Sequence, residues 1–276
     1  MSAKTKIEWC DATWNPVQGC TAISPGCKNC YARRIAERFR GTKNHPYEYG
    51  FDFRYFPRRL DIPSQWKKPK NIFVCSMSDL FHYEVPRIVL IKVFEKMLAN
   101  KHHVFFVLTK RAERMANFVN EVKKTCRPED INHIWFGVSV EDEPRMERLK
   151  VLARIEGINR FVSFEPLVGK IQVSEWEKYL LKMDWIICGA ETGPKARFIS
   201  VSTVNDLEEF TNKHRIPFFF KKWGNGIDNG SMPRQFPVFR KAADTVGTNP
   251  GGNPHNSLEN EPAQVGGTVA DGKEGE

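Results

Sequence analysis

At 276 residues with 41% apolar side chains, the chain is long enough to bury a core of its own, which excludes a wholly disordered protein and suits one large α/β barrel or two small domains. No run of eighteen or more apolar residues occurs and Met1 to Trp9 carry no apolar signal segment, so neither a membrane span nor export is expected, and a cytoplasmic location follows. The formal net charge is +9, yet residues 241–276 set two lysines, Lys241 and Lys273, against six acids, a net of −4 that leaves +13 on residues 1–240. Such a body suits an anionic partner, nucleic acid or a phosphorylated small molecule, although solubility alone would also use it.

In chain order, Ile7 to Trp14 reads as a strand, and Asn15-Pro16 and Gly19 break it to deliver a loop with three thiols, Cys20, Cys27 and Cys30. Seven cysteines in all, an odd count without an export signal, point to reduced thiols or metal ligation rather than disulfides. Ser24-Pro25-Gly26 is a turn inside the loop, and Tyr31, Ile35 and Phe39 among charged neighbours predict an amphipathic helix capped by Asn29 and ending near Gly41. Residues 41–70 form an insertion of another kind, with Tyr47, Tyr49, Phe51, Phe53, Tyr55, Phe56 and Trp66 interleaved with cations and broken by prolines. Rings between cations serve base stacking with phosphate contact, but the simpler expectation is rings packed on the flank of the fold.

A unit then recurs. Short apolar runs at Asn71–Cys75, His103–Leu108, Ile134–Val138, Arg160–Phe164, Trp185–Cys188 and Ile216–Phe220 each end in polar residues, with helical patterns between most of them. Runs that are continuously apolar rather than alternating are buried on both faces, as in a parallel sheet covered by helices. The expected fold is therefore a parallel (β/α) barrel or partial barrel over residues 1–240, followed by a disordered, acidic, Gly/Pro-rich tail at 241–276.

The residues just past the strands are Cys20, Cys27 and Cys30, then Ser76 and Asp79, Lys110 and Arg111, Ser139 and Glu141, Glu165, Glu191 and Lys221. In a parallel barrel they converge on one mouth. Taken singly, each also fits a helix cap or a solvated loop charge. The thiols also fit a structural zinc with Cys10, Cys75 or His82 as fourth ligand, in a non-enzymatic nucleic-acid-binding protein. A third possibility is a metal-dependent barrel hydrolase or deaminase built on Glu141, Glu165 and Glu191. Cys75, Cys126 and Cys188 read most simply as small apolar residues.

Three cysteines on the loop after the first strand of a parallel α/β barrel resemble the radical S-adenosylmethionine (SAM) enzymes. More closely, Ala12-Thr-Trp-Asn-Pro16, Gly19-Cys20, Ser24-Pro-Gly-Cys27, Asn29-Cys30-Tyr-Ala32, Ser76-Met-Ser-Asp-Leu-Phe81, Leu108-Thr-Lys-Arg111, Gly137-Val-Ser-Val-Glu141, Phe164-Glu-Pro-Leu167, Gly189-Ala-Glu191 and Pro217-Phe-Phe-Phe-Lys221 look like the motif set of a phage-associated three-cysteine family of unassigned activity. The resemblance implies that Cys20, Cys27 and Cys30 hold a [4Fe–4S] cluster and that SAM is cleaved to a 5′-deoxyadenosyl radical with help from an electron donor protein. It further implies that Ser76 and Asp79 face the SAM amino group, Lys110 or Arg111 its carboxylate, and Ser139 and Glu141 its ribose. Glu165, Glu191 and Lys221 are left to act on a nucleic acid, nucleotide or other anionic substrate. Two departures stand out: six residues separate the first two cysteines instead of three, and Asn29 takes the place of the aromatic that usually precedes the last.

Overall fold

The computed structural model describes residues 5–225, 227 and 230–239; the expected acidic tail at 241–276 lies outside them. In chain order the elements are β1 (Ala12–Trp14), β2 (Val17–Gln18), α1 (Tyr31–Glu37), β3 (Arg54–Tyr55), β4 (Asn71–Val74), α2 (Arg87–Ala99), β5 (Val104–Thr109), α3 (Ala112–Val122) and α4 (Pro128–Ile131). There follow β6 (Ile134–Ser139), α5 (Glu147–Leu152), β7 (Asn159–Phe164), α6 (Glu177–Leu180), β8 (Trp185–Cys188), α7 (Val201–His214) and β9 (Phe218–Phe220).

Seven strands form one sheet in the order β1-β4-β5-β6-β7-β8-β9, every neighbouring pair parallel. Six of them are the apolar runs read from the sequence and β1 falls within the strand read at Ile7 to Trp14; they stand side by side as they follow one another, and the sheet curves into a partial barrel. The small ribbon β2–β3 is antiparallel and lies apart.

The two faces of the sheet bury different things. On the outer face Val74, Val107, Val138, Val162 and Ile186 meet the helices through Val93, Met115, Val119, Leu149, Val204 and Leu207 in one large core. The inner face carries aromatics: Phe73, Phe106, Trp135, Phe161, Trp185 and Phe219 gather around Trp9. Trp9 precedes β1 and lies inside the curve, its ring 4.7 Å from Phe73 and at right angles to Phe106 and Trp185 at 5.7 and 6.1 Å. Large rings close the barrel interior where small aliphatic side chains would leave it open. Gly137 makes this possible, because a Cβ there would sit 2.5 Å from the Phe161 ring.

Period-two alternation then decides what stands above the rings. On β7 the inward column runs Phe161, Ser163 and on to Glu165, with Ser163 in register with Ser139 on one side and Ile187 on the other. Toward the C-terminal end of the sheet the inner face thus turns from aromatic to polar.

Helix α1 differs from its sequence reading. Its cap position is Cys30 rather than Asn29, and its buried side chains are Ala32 and Ala36. They pack with Phe51 and Met77, leaving Tyr31 and Ile35 partly open to solvent. The small alanines let the helix approach closely, and Asn29 is drawn away to a partner across the fold. In the 41–70 segment Phe53, Tyr55, Ile62 and Trp66 pack against the main core, while Tyr49 is half exposed beneath Arg54 at 3.5 Å.

Candidate functional site

A cavity of about 630 Å³ opens at the C-terminal ends of the sheet strands, within the usual range for small-molecule sites. Cys20, Cys27 and Cys30 all line it, as do Ser76, Asp79, Lys110, Arg111, Ser139, Glu165, Glu191 and Lys221.

The cysteine loop is fixed by its own backbone. Ser24 O accepts from Cys27 N at 2.9 Å, Cys27 O from Cys30 N at 3.3 Å, and Cys30 O from Arg34 N at 3.1 Å, so a chain of turns leads from the second thiol into α1. Each thiol is partly exposed. The first one is gripped from outside the loop. Arg111 Nη1 lies 3.5 Å from Cys20 Sγ and 2.8 Å from Asp79 Oδ2, while its Nη2 donates to Thr21 O at 3.2 Å. Burial pushes the Cys20 thiol up to about 11, with Asp79 adding to the rise and Arg111 opposing it.

Asp79 spends its whole hydrogen-bonding capacity inside the protein. One oxygen accepts from Phe81 N at 2.9 Å and Thr109 Oγ1 at 2.6 Å, the other from Lys110 N at 3.2 Å and from Arg111. Its place in the structure is thus that of an anchor for Arg111 and the Cys20 turn. Ser76 Oγ is bonded to the Asn15 side chain at 3.2 Å, and Asn15 Oδ1 also takes Met77 N at 3.0 Å.

Glu141, unlike the others, does not line the cavity. Fully buried, it accepts from Arg148 Nη1 at 2.8 Å and from Gly26 N at 3.3 Å, supporting the cysteine loop from behind. Burial alone would raise its pKa; Lys110 and Arg148 override that and hold it below the ordinary carboxylate value. Gly26 is needed there, since a Cβ would meet the Glu141 carboxyl group at 3.1 Å.

Glu191 takes Asn29 Nδ2 at 2.8 Å together with the Arg197 backbone N at 3.0 Å and guanidinium at 2.5 Å. Its burial works against ionisation, but these donors outweigh it and bring the carboxyl down to about 2. Glu165 and Lys221 form an ion pair across β8, where Gly189 leaves room: a Cβ at Gly189 would lie 3.2 Å from Lys221 Cβ.

Glu141 therefore lies apart from Glu165 and Glu191, which line the same cavity. Each of the three is neutralised by its own cation, Arg148, Lys221 and Arg197. Of the fourth ligands considered for a zinc, Cys10 Sγ is bonded to Ile7 O at 3.8 Å and Cys75 is buried, while His82 stands beside the cysteine loop with its Nε2 taken by Thr21, 2.8 Å from Thr21 Oγ1. A single ion draws its donors to within about 2.3 Å of one centre. Among the described residues no three Cys, His, Asp or Glu groups converge in this way. An iron–sulfur cluster instead takes its thiolates on separate irons; three thiols spread along one loop, with no carboxylate or imidazole among them, fit that group in kind.

Asn15 and Asn29 were not legible as site residues, for each acts through a partner far away in sequence, Ser76 and Glu191; Arg148 and Arg197 were missed as well, though they stand only seven and six residues from Glu141 and Glu191. The aromatic run at Phe218–Phe220 did point to β9, and Trp223 just beyond it packs against Phe220 at 4.6 Å.

The family model described as "Protein of unknown function (DUF5131)" matches residues 4–273. The chain belongs to that family. No curated protein matches it in sequence. Among solved structures it is similar to a cysteine-to-alanine mutant of spore photoproduct lyase with dinucleoside spore photoproduct, at 12% identity and a TM-score of 0.53, over 80% of this chain and 79% of that one. A cysteine-to-serine mutant of the same lyase gives 12% identity and a TM-score of 0.51 over the same shares. The lyase complexed with dinucleoside spore photoproduct gives 11% and 0.50, again over 80% and 79%. At these identities the likeness is one of fold. No helix among the described residues is long and apolar enough to cross a membrane.

Proposed function

We propose that this member of the family is a radical SAM-type enzyme acting on a nucleic acid, a nucleotide or a chemically similar anion. One observation carries the reading: three thiols from a single loop line the cavity at the C-terminal mouth of a parallel partial barrel, beside both acids and bases. The fold likeness to spore photoproduct lyase, itself of the radical SAM class, supports it, as does the +13 carried by residues 1–240.

In this reading Cys20, Cys27 and Cys30 hold a [4Fe–4S] cluster. When bound, the cluster supplies one electron, received from a donor protein, for cleavage of SAM to methionine and a 5′-deoxyadenosyl radical. The chain's own residues bind and orient. An aminoacyl ligand brings an ammonium and a carboxylate; Lys110 can pair with the carboxylate, and the hydroxyl oxygens of Ser76 and Ser139 can accept from the ammonium. Asp79 fixes Arg111 against the Cys20 turn, and Glu141 fixes the Gly26 turn. On the far wall Glu165 and Lys221 present an acceptor and a donor side by side to substrate, while Glu191 holds the third thiol's neighbour, Asn29.

Incubating the anaerobically reconstituted full-length chain with SAM and a chemical reductant tests this. Release of 5′-deoxyadenosine that disappears in Cys27→Ala is expected. No release, or release that survives Cys27→Ala, contradicts it.

A further inference from the structure

Two polar groups deep in the same cavity have no hydrogen-bond partner among the described residues: Trp9 Nε1 and Ser163 Oγ. Trp9 is 2% exposed and Ser163 is fully buried. A buried donor left unpaired costs stability comparable to a lost hydrogen bond, so such groups are retained where something else supplies the partner. Both also sit at a boundary in the barrel. Trp9 belongs to the aromatic floor with Phe73 and Phe161, and Ser163 stands one inward position above Phe161 on β7. The next inward position on that strand is Glu165, whose partner Lys221 reaches it over Gly189.

A ligand seated here meets the Phe73 ring below, with the Trp9 ring tilted beside it, and a polar edge around it. The Phe73 ring suits a planar heterocycle, which stacks on aromatic faces. Donors dominate the edge: the indole N–H of Trp9, the ammonium of Lys221 with hydrogens beyond the one directed to Glu165, and the Ser163 hydroxyl, against the single carboxylate of Glu165. Ring carbonyl oxygens answer those donors, and a ring N–H answers the carboxylate. An exocyclic amino group would set a donor against the Trp9 and Lys221 donors.

We infer that the floor of the cavity is a base-reading subsite that takes a nucleobase bearing ring carbonyls, as in uracil, in preference to an amino-substituted one. The inference rests on the nucleotide-directed reading above and narrows it from anions in general to the base itself. Trp9 and Ser163 become specificity-determining residues, and the positive charge of the body serves the sugar-phosphate without discriminating.

The test is calorimetric titration of the full-length, anaerobically purified chain with UMP, CMP and ribose 5-phosphate, with S-adenosylhomocysteine present to fill the cofactor place. UMP is expected to bind about tenfold more tightly than CMP, with ribose 5-phosphate weaker than either. Ser163→Ala is expected to weaken UMP binding roughly threefold or more while leaving CMP binding unchanged and the thermal midpoint no lower than the parent's. Trp9→Phe, which keeps a ring and removes the N–H, is expected to act in the same direction. Equal affinity for UMP and CMP, ribose 5-phosphate binding as tightly as UMP, absence of UMP binding, or an unaltered Ser163→Ala overturns the inference. These outcomes are independent of cluster chemistry: a chain that releases 5′-deoxyadenosine but does not prefer UMP sinks this inference alone, and one that prefers UMP but holds no iron sinks only the radical SAM reading.

Discussion

Arg111 joins Asp79 to Cys20, with Nη1 at 2.8 Å from the carboxylate and 3.5 Å from the sulfur. Both charged side chains are nearly buried, 12% and 9% exposed, so the pair is sensitive to losing one member. Removing one partner of a buried ion pair leaves an uncompensated charge and costs about 3–5 kcal/mol. Arg111→Met is therefore expected to lower stability in urea unfolding by about that amount, and Asp79→Asn in the same chain to recover a part of it. An Arg111→Met protein as stable as the parent would show that the contact is dispensable.

The meeting of Glu165 and Lys221 depends on Gly189. A valine there would place branched methyls where Lys221 now runs, since even a Cβ comes within 3.2 Å of Lys221 Cβ. Gly189→Val should retain the parallel sheet, judged by circular dichroism, while abolishing the chemistry that the pair supports. Full activity in Gly189→Val would remove the pair from the mechanism.

Much of this fold was legible in the sequence. Six of the seven strands announced themselves because each is a short, largely continuous apolar run, a pattern that requires cover on both faces, and β1 lay within the strand read at Ile7 to Trp14. Their polar ends placed eight of the candidate residues, from Ser76 to Lys221, on the cavity that the cysteine loop lines. What stayed hidden has a common cause. When both faces of a strand are apolar, alternation no longer tells inside from outside, so the aromatic floor of Phe73, Phe106, Trp135 and Phe161 could not be separated from the valines opposite. Trp9 lies in no strand and enters the barrel interior from the N-terminal segment. Glu141 looked like a rim residue, yet Arg148 on α5 draws it behind the loop; Asn29 looked like a cap, yet Glu191 claims its amide. Such partnerships are set by tertiary placement, which no local pattern encodes.

Support of the cysteine loop from behind gives a further expectation. Gly26→Val would drive a side chain into the Glu141 carboxyl, 3.1 Å from the position of the first added carbon. The loop should shift while the sheet persists, so reconstitution yields less iron per chain with little change in the unfolding midpoint. A variant that loads iron like the parent would contradict the tight packing described for Glu141 and Gly26.

Buried histidines predict how stability varies with pH. His103 and His133 are fully or almost fully buried, each bonded through Nε2 to a backbone carbonyl, of Pro63 at 3.0 Å and of Met97 at 2.9 Å. Burial lowers both below the ordinary histidine value of 6.5. A base with a depressed folded pKa binds more protons when unfolded, so its cost is absent above 6.5 and grows as pH falls below it toward the folded value. Urea midpoints should be level from pH 8 to 7 and decline from about 6.5 downward, with a shallower decline in His133→Gln. A midpoint that rises on acidification through this window would refute the assignment of neutral, buried rings.

The central claim is that Cys20, Cys27 and Cys30 act together as ligands of one cluster. The most direct measurement is iron and acid-labile sulfide in the full-length chain purified and reconstituted without oxygen. The account predicts about four of each per chain, lost in Cys20→Ala, Cys27→Ala and Cys30→Ala alike and retained in Cys126→Ala. Protein that takes up no iron and sulfide, or whose content is unchanged when Cys27 is replaced, would contradict it.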